Sequence, residues 1–402
     1  MKTAGSNLAT RAGLAVLLLL VLACAYFGLA APGVFLGGVL LLCALALFWA
    51  RTSLRRIDVL FSGGDICAFP GDRFRVEAEL TNRKFLPLLW LDLAIPTGER
   101  PCVGPVGGGE GLSETFTWVM PQQTLRWRQE AAALRRGVCP VDTLTLRSGD
   151  GFGLTEQSAE TAPSGRFRFV VYPRIVPVDL RPVLRSMREL ERAGDGLTVD
   201  KTLLNSTRDY RSGDSFRDIN WRLLARTDDV QVNVYEKLAV RRVCFLPDLA
   251  SYCDTETVAH GDGTETVYHV REEALERMLS LIASLSARLA ERNVLCSLAV
   301  PGFGGRSGRT FIPEIAADQV MPVLVSLAEI DYVGGPAAFS AEELLSARHR
   351  LGQLYLFSRD AAHAAFRDGD TAEMLGLIRV LAETDSAADG PSVLKESDLL
   401  TP

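Results

Sequence analysis

The sequence predicts a protein of the α/β plus β class, with an N-terminal two-helix transmembrane hairpin, a β-sandwich-like domain and a doubly wound α/β domain. Three patterns lead to this prediction. Two uncharged apolar runs open the chain, apolar residues then recur at every second position, and strand and helix periods alternate in the second half. With 402 residues, the chain can bury a separate core in each of two or three domains.

The two apolar runs are residues 12–31 and 33–50. Each is close to the roughly 20 residues that an α-helix needs to cross the hydrocarbon core of a bilayer. Pro32 and Gly33 are expected to form a tight turn between them. A cleaved signal peptide is the alternative for the first run, but the second run follows at once, without a small-residue cleavage site. We therefore predict a transmembrane hairpin over residues 1–56.

Basic residues flank both outer ends of these runs. Lys2 and Arg11 precede the first run. Arg51, Arg55 and Arg56 follow the second, whereas the turn between the runs carries no charge. By the positive-inside rule, both ends lie in the cytoplasm. The sequence therefore predicts a multi-pass protein of the cell membrane whose soluble domains are cytoplasmic.

The segment after the hairpin has the two-residue period of β-strands. Residues 74–80 alternate between apolar and polar side chains. Similar short runs, broken by Gly and Pro, lie at residues 88–95, 115–120, 126–134 and 167–172. Many short strands at this spacing are typical of an antiparallel β-sandwich, which we predict for residues 57–175.

Strand and helix periods alternate over residues 240–385. The runs with these periods are residues 242–246, 272–292, 295–300, 316–329 and 354–357. This alternation predicts a doubly wound, mostly parallel sheet. Residues 176–239, which hold a helix-like segment and a densely charged stretch, link the two domains. The polar tail at residues 386–402 is predicted to be disordered.

The composition argues against several classes of protein. The net charge of −6 is the opposite of the basic excess expected of a nucleic-acid-binding protein. The eight cysteines include no CxxC or CxxH pair and the four histidines no HExxH motif, so a zinc site is not expected. Scattered cysteines of this kind indicate buried free thiols in a reducing compartment. The loop at residues 305–308 lacks the GK[ST] of a phosphate-binding loop, so the protein is not expected to be an ATPase.

Residues 207–226 combine charged and aromatic side chains more densely than any other segment. Aspartates and arginines are interleaved there with large apolar residues, namely Arg208, Asp209, Tyr210, Arg211, Asp214, Phe216, Arg217, Asp218, Ile219, Trp221, Arg222 and Arg226. In a structural interpretation, Asp214 or Ser215 caps a short helix that begins near Phe216. Ile219 and Leu223 then share one face of that helix with Phe216.

The charges of the same stretch allow three roles. Arg217 and Arg226 can bind carboxylates bidentately. With Asp209 and Asp214 as acceptors, they would clamp the junction between the β domain and the α/β domain. Alternatively, the arginines line a groove that receives an acidic segment of a partner protein. In an enzyme, the two aspartates would serve as general acid and base, although no nucleophile or histidine lies near them in the sequence.

The spacing D-Y-x-x-G-D-x-x-R-x-I-x-W-x-x-x-A-R resembles the signature of a bacterial membrane family, domain of unknown function 58 (DUF 58). The matching residues are Asp209, Tyr210, Gly213, Asp214, Arg217, Ile219, Trp221, Ala225 and Arg226. Two further segments resemble that family: the turn D-G-F-G-L at residues 150–154, with Gly151 where the family has Pro, and V-Y-P-R at residues 171–174. The order of the segments also agrees, so the resemblance covers most of the chain.

The resemblance implies a fold and partners. The α/β part of the family is similar to von Willebrand factor type A domains, which implies such a domain at residues 240–385. Members of the family often accompany MoxR-type AAA+ ATPases and transglutaminase-like membrane proteins. This association implies shared work in assembling or maturing other proteins, and no reaction is established for the family.

The resemblance also implies a metal site. A type A domain binds a divalent metal through an Asp-x-Ser-x-Ser motif at the end of its first strand, because carboxylate and hydroxyl oxygens are ligands suited to such an ion. This chain has Asp248 at that place, but Ala250 and Tyr252 replace the two serines. Asp248 is then the one remaining candidate ligand, which puts magnesium in doubt, and no other cofactor is expected.

The sequence thus predicts a membrane-anchored, cytoplasm-facing scaffold or adaptor. Its expected partners are the lipid bilayer, a MoxR-type AAA+ ATPase and a transglutaminase-like membrane protein, and its candidate docking residues are those of the DUF 58 signature. The alternative is a hydrolase or other enzyme of undefined reaction that uses the same aspartates and arginines.

Overall fold

The computed structural model describes most of the chain. The residues outside its description are 1, 6–10, 97–100, 109–110, 152, 194–197, 228, 239–241, 261–262, 302–319, 331–338, 367–368, 384–392 and 402. The loop at residues 305–308, the first part of the helix expected at residues 316–329, and Phe152 of the D-G-F-G-L turn therefore lie outside the described residues. The chain divides into two compact units, Met1–Tyr172 and Pro173–Pro402.

The first unit begins with a short strand and two apolar helices, β1 (Lys2–Gly5), α1 (Arg11–Tyr26) and α2 (Ala30–Ser53). The two helices are joined by residues 27–29 and pack against each other. Of the described helices, the 24-residue α2 is the one long and apolar enough to cross a membrane. The first run forms a helix of 16 residues, which is shorter than expected.

The turn between α1 and α2 does not lie at Pro32 and Gly33, as the sequence had suggested. It lies at residues 27–29, where Gly28 adopts a φ of +70°. Pro32 instead belongs to the first turn of α2. A proline is tolerated there because its missing N–H would have no partner within the helix.

Strands make up the rest of the first unit. They are β2 (Ile57–Phe61), β3 (Ile66–Ala68), β4 (Arg73–Asn82), β5 (Leu88–Ile95), β6 (Val103–Pro105), β7 (Leu112–Val119), β8 (Thr124–Ala133), β9 (Gly137–Pro140), β10 (Leu144–Gly149), β11 (Thr155–Thr161) and β12 (Arg168–Val171). The described strands form sheets in the orders β1-β11-β10-β5-β7, β2-β4-β8-β6 and β3-β12-β9. Neighbours are antiparallel except β3 and β12, which are parallel.

The alternating pattern predicted for residues 74–80 is confirmed. Val76, Ala78 and Leu80 of β4 are buried, and the residues between them are partly exposed. Trp127 of β8 and Leu91 of β5 belong to the same hydrophobic core, so the two larger sheets face each other across it. Side chains from both sheets that fill one core are the arrangement of a β-sandwich.

The cysteines differ in part from the expectation of buried free thiols. Cys102 and Cys139 form a disulfide, and Cys67 is exposed. Strand pairing explains the disulfide. The carbonyl of Cys102 accepts a hydrogen bond from the Leu134 N–H at 2.8 Å, and the chain then turns at once into β9, which holds Cys139. The sequence separation of 37 between the two cysteines hides this proximity.

The second unit alternates helices and strands as predicted. Its elements are α3 (Arg181–Ala193), β13 (Thr198–Asp209), α4 (Trp221–Thr227), β14 (Gln231–Leu238), β15 (Arg242–Pro247), β16 (Cys253–His260), β17 (Gly263–Val270), α5 (Glu272–Ala290), β18 (Leu295–Leu298), α6 (Met321–Ala328), α7 (Ala341–Leu351), β19 (Gln353–Ser358), α8 (Gly369–Leu375), β20 (Leu377–Leu381), β21 (Val393–Lys395) and α9 (Glu396–Leu399). The strongest helical period, residues 272–292, is confirmed as α5.

A parallel sheet of order β18-β15-β19-β20-β21 is the centre of this unit. Leu344 of α7 packs with Cys244 and Leu354 on one face. On the other face, the Tyr355 hydroxyl contacts Val183 and Ser186 of α3. Of the strands in this sheet, β15 comes first in the chain. It lies between β18 and β19, so the strands that follow it in the chain are placed on both of its sides. In sheets of this kind, the carboxyl ends of such strands border a crevice where ligands bind.

Two parts of this unit were not foreseen. The strands β16 and β17 form an antiparallel hairpin inserted between β15 and α5. The tail predicted to be disordered is ordered over residues 393–401, because β21 pairs with β20 and Leu399 is fully buried. The Asp179 N–H also donates to the Leu399 carbonyl at 2.8 Å. A small number of apolar residues is therefore enough to order this otherwise polar tail.

Candidate functional site

The charged stretch connects the paired strands β13 and β14. Its signature residues are placed as follows: Asp209 ends β13, Tyr210 follows it, Gly213 and Asp214 form a turn, Arg217 lies in a 3₁₀ helix, Ile219 pairs with β14, and Trp221, Ala225 and Arg226 belong to α4. The segment folds back onto β14, because the Tyr210 N–H donates to the Val230 carbonyl at 3.0 Å and the Asn220 N–H donates to Gln231 at 2.8 Å.

Asp214 organises the turn at the start of this segment. Its two carboxylate oxygens accept from the Arg208 guanidinium at 2.6 and 2.8 Å, and one of them also accepts from the Arg211 N–H at 2.8 Å. The Arg208 hydrogen bonds, followed by that of the Arg211 N–H, lower the pKa of Asp214. Gly213 has a φ of +110°, which a residue with a Cβ rarely adopts.

The bidentate clamp predicted for the stretch thus exists with a different arginine. Arg208 supplies it, whereas Arg217 and Arg226 were expected to. The reason is reach, since Arg208 at the end of β13 and Asp214 in the turn face each other across a tight loop. The clamp closes the loop on itself, and the carboxylate of Asp214 is occupied by arginine at neutral pH. That state does not suit a general acid.

The cap predicted at Asp214 or Ser215 is confirmed for Ser215. Its hydroxyl accepts from the Arg217 N–H at 3.3 Å and starts the 3₁₀ helix Phe216–Asp218. The chain then becomes extended at Ile219, and a new helix, α4, starts after Asn220, whose side chain accepts from the Leu223 N–H at 3.0 Å. The sequence analysis missed Asn220, although an asparagine before an apolar run is a known helix-start signal.

The continuous helix with one apolar face was a wrong prediction. Ile219 is buried, but the Phe216 and Trp221 side chains are 72% and 60% exposed. The break at Ile219 rotates α4 relative to the 3₁₀ helix, so the apolar residues no longer share a face. Arginines at four positions of the same loop are exposed too. We call this set the Arg/aromatic surface: Arg211, Phe216, Arg217, Trp221, Arg222 and Arg226.

A second cluster lies at the carboxyl ends of β15 and β19. Asp248 follows β15 and is buried. One carboxylate oxygen accepts from the Ala365 N–H at 2.7 Å and from the Ser358 hydroxyl at 3.1 Å. Burial raises the pKa of Asp248, and these hydrogen bonds oppose the rise. The Ser251 hydroxyl donates to the Asp248 carbonyl at 2.7 Å, which fastens the loop after the strand.

Arg359, directly after β19, fills the middle of this cluster. Its side chain is 5% exposed. Its Nη1 donates to Asp254 Oδ1 at 2.8 Å, and its Nε donates to Asp360 Oδ2 at 2.9 Å. Arg271 donates to the other oxygen of Asp254 at 2.8 Å, so that carboxylate lies between two guanidinium groups. His363 Nδ1 is 2.8 Å from both Arg359 Nη2 and Asp360 Oδ1.

The charges of this cluster are balanced within the protein. Hydrogen bonds from Arg271 and then Arg359 lower the pKa of Asp254. Burial is the largest influence on Asp360 and acts to raise its pKa, but hydrogen bonds from Arg359 and His363 outweigh it and lower the pKa to about 2. Both carboxylates are therefore ionised at neutral pH, and arginines neutralise them.

The magnesium site implied by the resemblance does not fit these residues. The Asp248 oxygen that faces Ser358 and Ala365 already accepts two hydrogen bonds, and Tyr252, at a serine position of the motif, is buried. The guanidinium of Arg359 lies between the carboxylates nearest to that edge. Over the described part of the chain, no group of three or more His, Cys, Asp or Glu side chains is arranged to hold a metal ion.

Comparisons with known proteins leave the family open. No protein-family model matches the chain, and no curated protein matches it. Among solved structures, it is similar to a non-cellulosomal cohesin from the archaeon Archaeoglobus fulgidus, with 14% identity and a TM-score of 0.19 over 32% of this chain and 97% of the cohesin. A type I cohesin–dockerin complex from Clostridium thermocellum gives 12% identity and a TM-score of 0.17 over 29% and 98%. Likenesses this weak define neither fold nor function.

Proposed function

We propose that this protein is a membrane-anchored scaffold or adaptor that docks partner proteins through the Arg/aromatic surface. One observation carries the proposal: Phe216 and Trp221 are largely exposed on a loop whose backbone is held by Arg208, Asp214 and Asn220. Exposed aromatic side chains on a pre-organised backbone are costly in water and are typical of residues at the centre of protein interfaces.

The chemistry of the surface favours an acidic partner segment. Guanidinium groups bind carboxylates bidentately, and aromatic rings beside them supply apolar contact area. The Tyr210 and Phe216 rings lie 6.3 Å apart, which widens the apolar part of the surface. By resemblance to DUF 58 proteins, the partner would be a MoxR-type AAA+ ATPase or a transglutaminase-like membrane protein, acting on a client that the scaffold holds.

The membrane anchor proposed here is a hairpin of α1 and α2, with both ends in the cytoplasm. The apolar length of α2 supports it. Further support comes from the pairing of β1 with β11, because residues before α1 and residues after α2 then belong to the same sheet system. A transmembrane hairpin requires this arrangement, because both of its outer ends must lie on the same side of the membrane. The basic residues at both outer ends agree with a cytoplasmic side.

The docking proposal is tested with the full-length protein in detergent and a purified MoxR-type ATPase of the same organism. The variant Phe216→Ala with Trp221→Ala should weaken binding by about 1,000-fold, since two interface aromatics of this type each contribute roughly 2 kcal/mol. Tyr268→Ala with Met374→Ala, at exposed positions elsewhere in the unit, is the matched control. Equal affinity of both variants and wild type for the ATPase would refute the proposal.

A further inference from the structure

A second exposed surface lies at one end of the first unit. Strand register defines this end. Ile57 pairs with Asn82, Thr81 with Thr124, and Leu88 with Val119. The connections β4–β5 at residues 83–87 and β7–β8 at residues 120–123 therefore lie at the end of the sandwich where the chain arrives from α2. We call this the helix-side end.

Hydrogen bonds join the helix-side end to the last turns of α2. The Lys84 ammonium donates to the Thr52 carbonyl at 3.1 Å and so caps the carboxyl end of the helix. The Arg83 N–H donates to the Arg56 carbonyl at 3.1 Å. On the other sheet, the Thr155 hydroxyl is 3.5 Å from the Ala46 carbonyl. The loops are thus held at the level where the apolar sequence of α2 gives way to arginine.

Large apolar side chains are exposed in these loops and at the end of β7. Phe85 is 93% exposed, and Trp118 is 63% exposed. Met120 is exposed beside them. The buried side chain of Asn82 ties the two loops together, because its Nδ2 donates to the Leu86 carbonyl at 3.1 Å and to the Met120 carbonyl at 3.1 Å. The loop that carries Phe85 and the loop that follows Trp118 are therefore held to each other at this end.

Basic residues lie at the same end of the unit as these apolar side chains. Arg51, Arg55 and Arg56 are exposed at the exit of α2. Arg83 is exposed as well and pairs with Asp58 at 2.7 Å. A bilayer interface with anionic lipid presents the matching chemistry, since aromatic rings partition to the headgroup level and each arginine near an anionic surface contributes about 1 kcal/mol. A soluble partner would have to reach a surface that adjoins the membrane helix itself.

We propose that the helix-side end is a second membrane contact, which binds an anionic phospholipid surface. Phe85, Trp118 and Met120 enter the interfacial layer, and Arg51, Arg55 and Arg56 bind the lipid phosphates. The β unit is thereby held against the bilayer and cannot swing freely on α2. This inference rests on the membrane anchoring proposed above and is independent of the Arg/aromatic surface.

Photo-crosslinking from three positions tests the proposal. The full-length protein, with p-benzoylphenylalanine at position 85, is reconstituted in nanodiscs of phosphatidylcholine and phosphatidylglycerol, and lipid adducts are measured by mass spectrometry. Position 45 on the exposed face of α2 is the positive control. Position 134, which is 51% exposed at the opposite end of β8, is the negative control.

Adducts at positions 45 and 85 but not at 134 are the expected result. Adducts at 45 without adducts at 85 would overturn this inference and leave the anchor intact, whereas their absence at both positions would overturn the anchor. Cross-links from position 85 to a protein in cells, in place of lipid, would also overturn it.

A charge-reversal pair tests the role of the arginines. With phosphatidylglycerol present, Arg55→Glu should lower the adduct yield at position 85 by more than about fivefold, because loss of the arginine alone accounts for that factor near an anionic surface and the glutamate adds repulsion. Arg73→Glu, at the opposite end of β4, changes the net charge equally and should leave the yield unchanged. Equal effects of the two variants would contradict binding of lipid phosphate by the exit arginines.

Discussion

At the scale of single residues, Asp214 holds the docking loop together. Its pairing with Arg208 and the Arg211 N–H closes the turn on which the Arg/aromatic surface is built. Asp214→Asn removes the charge, and we expect faster tryptic cleavage after Arg217 with little change in the melting temperature, since the pair is exposed to solvent. Asp229→Asn, at an exposed residue that follows α4 in the chain, is the control and should cleave at the wild-type rate.

The same residue predicts a pH dependence with a defined sign. The folded-state pKa of Asp214 lies below its ordinary value of 3.8. Protection of the loop amides from hydrogen exchange, measured relative to the intrinsic rate at each pH, is therefore complete above that ordinary value and is lost as the pH falls through the lower, folded-state pKa. Protection that declines as the pH rises instead would contradict the pairing.

The pH dependence of stability expected from Asp248 has the opposite sign. Because burial raises its pKa, the folded state holds its proton more tightly than the unfolded chain, so its contribution to stability falls as the pH rises from 3.8 through the higher folded-state pKa. Asp248→Asn should flatten this dependence in thermal unfolding of the full-length protein. Asp248→Ala should cost about 3 kcal/mol, because Ser358 and the Ala365 N–H lose their acceptor. Asp370→Ala, at an exposed carboxylate in the first turn of α8, should cost less than about 1 kcal/mol.

At the scale of elements, a guanidinium group supplies the positive charge at the carboxyl edge of the parallel sheet. Arg359 lies between Asp254 and Asp360, and its N–H donates to Ser251 in the loop after Asp248, the one ligand that the type A resemblance leaves. We expect Mn²⁺ to leave the melting temperature of the wild type unchanged. Arg359→Ala should destabilise the protein by about 2 kcal/mol, because one carboxylate is half exposed, and Mn²⁺ should then restore part of that loss.

Arg292→Ala, at an exposed arginine after α5, is the control for Arg359→Ala and should respond to Mn²⁺ as the wild type does. A wild-type protein that is stabilised by Mn²⁺ as much as Arg359→Ala would contradict the substitution of a guanidinium for a metal.

Helices and strands with a clear apolar period were predictable from the sequence, whereas the connections between them were not. The helix α5 and the alternating strand β4 follow directly from apolar spacing, because one buried face decides each of them. The break at Ile219 depends on a pairing with Val232 that lies 13 residues ahead in the chain, and the order of residues 393–399 depends on an edge of β20. Contacts of this kind are tertiary, so a local period does not contain them.

The candidate sites show the same limit. The sequence identified the loop that holds Asp214 and Trp221, but it assigned the clamp to Arg217 and Arg226. Spacing shows which residues are close along the chain, but it does not show which side chains face each other. Arg359 was missed because it and Asp360 follow an apolar strand without forming a recognisable motif. A search for charged residues at the carboxyl ends of the parallel strands would have found it.

At the scale of the whole molecule, two features favour opposite compartments. Basic residues on both outer ends of the helices favour a cytoplasmic location for the soluble units. The disulfide between Cys102 and Cys139 is of a kind that persists in oxidising compartments. The charge pattern acts during insertion, before the disulfide can form, so we give it the greater weight in the proposed topology.

The exposed thiol of Cys67 decides between the two compartments. In intact spheroplasts that express the full-length protein, a membrane-impermeant maleimide should not label Cys67, and permeabilising the membrane should make it reactive. Cys67→Ser is the control that assigns the signal, because the other free cysteines described in the soluble units are buried. Labelling of intact spheroplasts would reverse the topology, give the disulfide an oxidising environment, and remove a cytoplasmic ATPase from the possible partners.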